Sequence, residues 1–205
     1  MATPDDLAYI KDALGSLCAP LHRAVETAAE VADTHFTEWG MTDSVYQRER
    51  TDLTRGHIRR ILSDADLGDW EVATERRNGQ VLLRRSLLRA KLLHIAPEHA
   101  VPPPGTNGAR VAYYRNPDKD LYGVQASNLL ALWHVDLETG EASLRVVRPT
   151  DIWKFMQNHK ADIDFFLPRA DEDLMSLEFT PDDSAFELPF DIDIEEEGNG
   201  DASSW

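Results

Sequence analysis

The chain has a single cysteine, Cys18, among 205 residues. That excludes an intramolecular disulfide and gives no sign of an oxidising compartment. Cys18 falls in an apolar helical stretch, where a lone thiol reads as a small buried hydrophobe and not as a nucleophile. Long apolar runs are missing too. Stretches such as Leu129–Trp133 span a handful of residues, against the roughly 20 that a membrane helix needs. The N-terminal stretch from Met1 to Asp12 is acidic and has no apolar core of signal-peptide type. These absences set the expectation of a cytoplasmic protein without membrane association. Familiar catalytic spacings are absent as well. There is no His-Glu-x-x-His and no nucleophile elbow, and where a restriction-nuclease-like site would want Glu-x-Lys the chain has Glu141-Ala142-Ser143.

Basic residues are absent from one whole region. Between Asp171 and Trp205 there are thirteen acidic residues and no lysine or arginine. The net charge of −16 is therefore uneven, because residues before Asp171 hold 24 acidic against 21 basic side chains. The length suits one domain with an appendage, read here as an α+β domain over 1–169 and an acidic C-terminal segment over 170–205. Bulk charge argues against nucleic acid, whereas a nearly neutral body permits it.

The first forty residues read as helix. Pro4 and Asp5 suit a helix start, and Leu7, Ile10 and Leu14 follow its apolar face. Pro20 suits the first turn of a second helix that continues through Val25, Ala28 and Ala32 to a stop at Gly40. A third runs from about Ser44 to Leu62, weakened by Gly56. At Gly68 the pattern changes to strand. Trp70, Val72 and Thr74 alternate, and Asn78-Gly79 before Val81 is a strong hairpin signal. Ser86–His94 fits either a short helix or a longer strand, and Val111–Tyr114 reads as a short strand after a proline-rich loop. Asn128–Val135 and Ala142–Val147 flank a turn in which Gly140 takes the left-handed position. Thr150 is placed to cap a short late helix over Asp151–Lys160. The expected fold is α+β: N-terminal helices packed on an antiparallel sheet of five or six strands arranged as hairpins, one late helix, and an acidic C-terminal strand or tail.

That C-terminal segment is patterned. Phe186, Leu188, Phe190, Ile192 and Ile194 alternate with Glu187, Pro189, Asp191 and Asp193, which puts five apolar side chains on one strand face and carboxylates on the other. Pro189 confines such a strand to a sheet edge, and Glu195–Ser204 has the composition of a disordered end.

Candidate chemistry is sparse. His134 and Asp136 share a strand face, with Glu141 on the neighbouring strand, and this trio is the weak catalytic candidate. His94 and His99 flank Pro97 as a second acid–base candidate. His22 and Glu26, with Glu30, and separately His35 and Glu38, have helical ligand spacing, although polar helix faces commonly show it; no metal and no cofactor is expected. Eleven of the twenty-one basic residues fall between Arg48 and Lys91. Arg55, Arg59 and Arg60 on a helix, with Arg76, Arg77, Arg84 and Arg85 at the hairpin, could contact phosphate or an acidic partner. The expectation drawn from this is a non-enzymatic interaction or regulatory protein that binds a protein partner, using Phe186, Leu188, Phe190, Ile192 and Ile194. The alternative is a nuclease-like hydrolase acting on nucleic acid through the arginine surface. Oligomeric state is not legible in the sequence.

Overall fold

The structure, a computed structural model, describes residues 3–74, 80–95, 100–116, 127–136, 138–154 and 157–176. Helix α1 (Pro4–Gly15) opens with a capping box in which Thr3 Oγ1 accepts from the Asp6 N–H and the Asp6 carboxylate accepts from the Thr3 N–H. Helix α2 (Cys18–Glu38) follows almost at once, and after a 3-10 turn at Ser44–Tyr46 helix α3 spans Gln47–Asp64. All three have a stripe of buried apolar residues, including Ile10, Leu14, Leu21, Val25, Ile58 and Leu62, as the 3–4 spacing predicts.

Six strands form one sheet in chain order: β1 (Glu71–Val72), β2 (Val81–Arg85), β3 (Leu88–His94), β4 (Ser127–Val135), β5 (Ala142–Pro149) and β6 (Ala161–Phe166). Antiparallel pairing dominates, and β1 with β2 pairs as the Asn78-Gly79 signal predicts, although that turn lies outside the described residues. The sheet is nevertheless mixed, because β3 and β4 run parallel, Leu88 opposite Ser127 through His94 opposite Trp133. A parallel pair needs a crossover, and the crossover carries helix α4 (Gly108–Arg115). The strand expected at Val111–Tyr114 is thus a helix. Asn107 caps it, its Oδ1 accepting from the Ala109 and Arg110 N–H groups, and the 3-residue spacing of Val111 and Tyr114 suits a helix as well as alternation suits a strand.

The expected helix over 151–160 is the second correction. The Thr150 N–H donates to the Lys160 carbonyl, the Asp151 carboxylate pairs with Lys160 at 2.8 Å, and Ile152–Lys154 is irregular. The segment connects β5 to β6, a strand that its two aspartates concealed. Those carboxylates pair with β5: Arg148 donates to Asp162 through two 2.7 Å bonds and Arg145 to Asp164 through two 2.6 Å bonds. The late helix is instead α5 (Asp171–Ser176), which packs on α1 with Leu174 in the core. Packed structure therefore extends past residue 169, and Phe186, Leu188, Phe190, Ile192 and Ile194 lie outside the described residues.

The sheet is covered on both faces. Helices α1–α3 pack on Leu83, Leu92, Leu129, Trp133 and Leu144, while Tyr114 of α4 and Trp153 cover Leu130, Leu132 and Val147 on the other. This explains the continuous apolar run Leu129–Trp133, since a strand covered on both faces has no reason to alternate. No helix among the described residues is long and apolar enough to cross a membrane.

Candidate functional site

A cleft of about 490 Å³ opens where helices α2 and α3 meet the carboxyl ends of β3 and β4. Sheets with parallel strands characteristically leave such crevices at their carboxyl ends. One wall is a single face of α2, from Glu26, Ala29, Glu30 and Asp33, and the other a single face of α3, from Gln47, Arg50, Thr51 and Thr54. Both sets follow the i, i+3, i+4, i+7 spacing that puts residues on one side of a helix. The floor is His94, Trp133, His134 and Val135, with Asp136 and Gly140 from the β4–β5 turn.

Most charges around the cleft are already matched. Arg50 donates to Asp33 at 2.7 Å across the two helices and lies 5.4 Å from the Phe36 ring centre. Glu26 Oε1 accepts from the Ala142 N–H at 2.9 Å and from Arg169 at 2.6 Å. The hydrogen bond from Arg169, above all, holds the Glu26 carboxyl below its ordinary range. Asp136 is held low by the N–H groups of Thr139 and Glu138, which donate to its Oδ1. Gly140 closes that turn with φ of 72°, a left-handed backbone natural to glycine. Thr51 and Thr54 donate to the Gln47 and Arg50 carbonyls of their own helix. Glu30, exposed in mid-wall, has no cation paired with it among the described residues.

On the floor the His94 ring lies 4.5 Å from the Trp133 indole and 6.4 Å from the His134 imidazole. Burial lowers the His94 pKa, helped by His134 and Arg55, so the ring is neutral at pH 7. Trp133 is 3% exposed and its indole N–H has no acceptor among the described residues.

The structure therefore brings His134 and Asp136 together in the cleft. Glu141 does not line it: its N–H donates to Thr139 Oγ1, and its carboxylate acts on the neighbouring Arg169. Three of the arginine candidates have internal partners. Arg55 pairs with Asp52 at 2.7 Å, Arg59 donates to the Ala73 and Gln80 carbonyls, and Arg85 approaches Asp69 at 3.3 Å. Arg84 stands opposite Glu71 in the sheet and Arg60 is exposed on α3. Arg76 and Arg77, like His99, lie outside the described residues. His22 does not belong to a solvated helix face, since it is buried with Nε2 2.9 Å from the Leu167 carbonyl. His35 is 3.9 Å from Glu38 and stacks on Trp39 and His57. Among the described residues no group of three His, Cys, Asp or Glu could hold a metal ion. Sequence reasoning missed the cleft itself. Its trace was present in the matching spacings 26/29/30/33 and 47/50/51/54, but only a fold sets those two faces against each other.

No protein-family model matches the chain, and comparisons with curated proteins and with solved structures return no match.

Proposed function

We propose that this is a non-enzymatic interaction protein whose partner is a basic protein. One observation carries the reading: the cleft has an acidic wall whose flanking charges are fixed in internal pairs, so it is built to present charge and not to exchange protons. The net charge of −16 acts in the same direction, steering a basic partner towards the molecule. The acidic segment after Ser176, with Phe186, Leu188, Phe190, Ile192 and Ile194, supplies much of that field and is part of the proposal.

A second reading, a hydrolase acting on nucleic acid, draws on His134 and Asp136 sharing the cleft. It is weakened by the placement of Glu141 outside the cleft and by the internal partners of Arg55, Arg59 and Arg85.

The two readings part in a binding assay of the full chain against poly-L-lysine, poly-L-glutamate and a short DNA duplex over a salt series. Salt-sensitive binding to polylysine alone is the expected result. Binding to the duplex, or its cleavage, would overturn the first reading in favour of the second. A chain ending at Ser176 keeps α5 in place and should retain its fold while losing part of the polylysine affinity.

A further inference from the structure

Three carboxylates look into the cleft from one face of α2, and two of them have fixed partners. Asp33 is bound by Arg50, and Glu26 by Arg169 and the Ala142 N–H. Glu30, between them in sequence, has no paired cation among the described residues. The facing wall offers it no competitor, since Arg50 is held by Asp33 and the threonine hydroxyls turn to their own helix. Below lies ring surface, the His94–Trp133 pair. The His94 imidazole makes ring contacts and no hydrogen bond among the described residues, so in its neutral form it offers an acceptor nitrogen. The Trp133 indole N–H is a buried donor without an acceptor among the described residues, a sensitive reporter on the ring that forms this floor. The cavity volume falls within the roughly 300–1,000 Å³ of ligand clefts.

We propose that the α2–α3 cleft receives a lysine side chain of the basic partner, its ammonium on Glu30 and its methylene stem on the His94–Trp133 floor. This rests on the interaction-protein reading and names the place where it operates. A lysine suits the site because its long stem packs on apolar ring surface while the charged head reaches a carboxylate. Ammonium near an indole face gains from the ring quadrupole as well.

The test is an NMR titration of the full chain, following the Trp133 indole N–H signal, assigned with Trp133→Phe. The probe is a glycine-rich peptide carrying three lysines; the controls are the same peptide with norleucine for lysine, and n-butylamine. The lysine peptide should shift the signal saturably, norleucine should abolish the shift, and n-butylamine should reproduce it more weakly. Glu30→Gln, at an exposed position, should leave the thermal melt unchanged and weaken peptide affinity about tenfold. Equal binding to wild type and Glu30→Gln would overturn the cleft assignment while leaving a basic partner in place. No binding of any basic peptide would overturn both proposals. Binding of n-butylamine without the peptide would assign the cleft to a free amine and overturn the protein-partner form.

Discussion

On one face of the sheet, helices α1 to α3 cover Leu83, Leu92, Leu129 and Leu144; on the other, the short α4 and the β5–β6 connection cover Leu130, Leu132 and Val147. The first cover leaves the described cleft at its edge. The second is tied to the sheet by polar groups bound to backbone. Asn116 Nδ2 donates to the Asn128 and Pro149 carbonyls and its Oδ1 accepts from the Asn128 N–H, while the Tyr113 hydroxyl reaches the Arg89 and Leu129 carbonyls. Burial drives the Tyr114 hydroxyl pKa up to about 12, in keeping with its place between α4 and the sheet. The difference teaches that area covered and space left open are separate properties. The thick helical layer leaves room between α2 and α3, and the thin layer is pinned to the strands by hydrogen bonds.

Breaking a buried ion pair on the helix-covered face, where Arg148 stands beside Leu129 and Ile163, should have the largest effect. The side chains of Arg148 and Asp162 are about 6% and 10% exposed, and Ser127 is within 3.4 Å of the guanidinium. Arg148→Met takes the two-point guanidinium contact away from the largely buried Asp162 carboxylate and should cost about 3–5 kcal/mol in urea unfolding. The double change Arg148→Met with Asp162→Leu should recover most of it; failure to do so would mean that the pair sets the β5–β6 register. Next comes a gain in the helical layer itself. Gly56 in α3 has no atom within 4 Å of where a Cβ would stand, so Gly56→Ala should raise stability by about 1 kcal/mol. A smaller change is expected from Arg50→Ala at the rim of the cleft. The Arg50–Asp33 bridge is partly exposed, so its loss should cost about 0.5 kcal/mol, measured by the same unfolding assay.

The smallest effect is a slope with pH. The His94 pKa is lowered in the fold, mainly by burial, so the unfolded chain binds the proton more readily. Stability is then full above the unfolded value of about 6.5 and falls as pH drops through the lower folded value. His57 shifts in the same direction, also through burial first, so both histidines contribute to the fall. His94→Asn should flatten the stability profile below pH 6.5 in thermal melts without altering it above. An unchanged profile would place the slope in His57.

The N-terminal helices, the β4–β5 hairpin and the left-handed Gly140 were legible because each rests on local chemistry: apolar spacing, a cap, a turn residue. What failed depended on partners distant in sequence. Val111–Tyr114 is too short for its period to decide between helix and strand, and Asn107 as a cap was the overlooked signal. The strand β6 reads Asp-Ile-Asp-Phe, polar enough to pass for a loop until Arg145 and Arg148 face its carboxylates. Burial pushes the Asp164 carboxyl up, but hydrogen bonds from His159 and Arg145 outweigh it and hold it low, so the charge survives in the sheet. Of the candidate site, His134 and Asp136 were legible from alternation along one strand. His94 was singled out beside His99; its place next to His134 was not legible, because the two strands pair in parallel across the crossover.

That parallel seam has a kinetic consequence. Hairpin partners meet soon after they are made, whereas β3 and β4 must wait for the whole crossover, and closing a longer loop costs more entropy. The strands before the seam and those after it are each joined to their neighbours by antiparallel contacts alone. Joining the two groups is therefore the non-local step expected to limit the folding rate. The cleft floor takes His94 from one group and Trp133 from the other, so it comes into being only when that step is complete. A resonance from the Trp133 indole would then serve as a clock for the last event of folding.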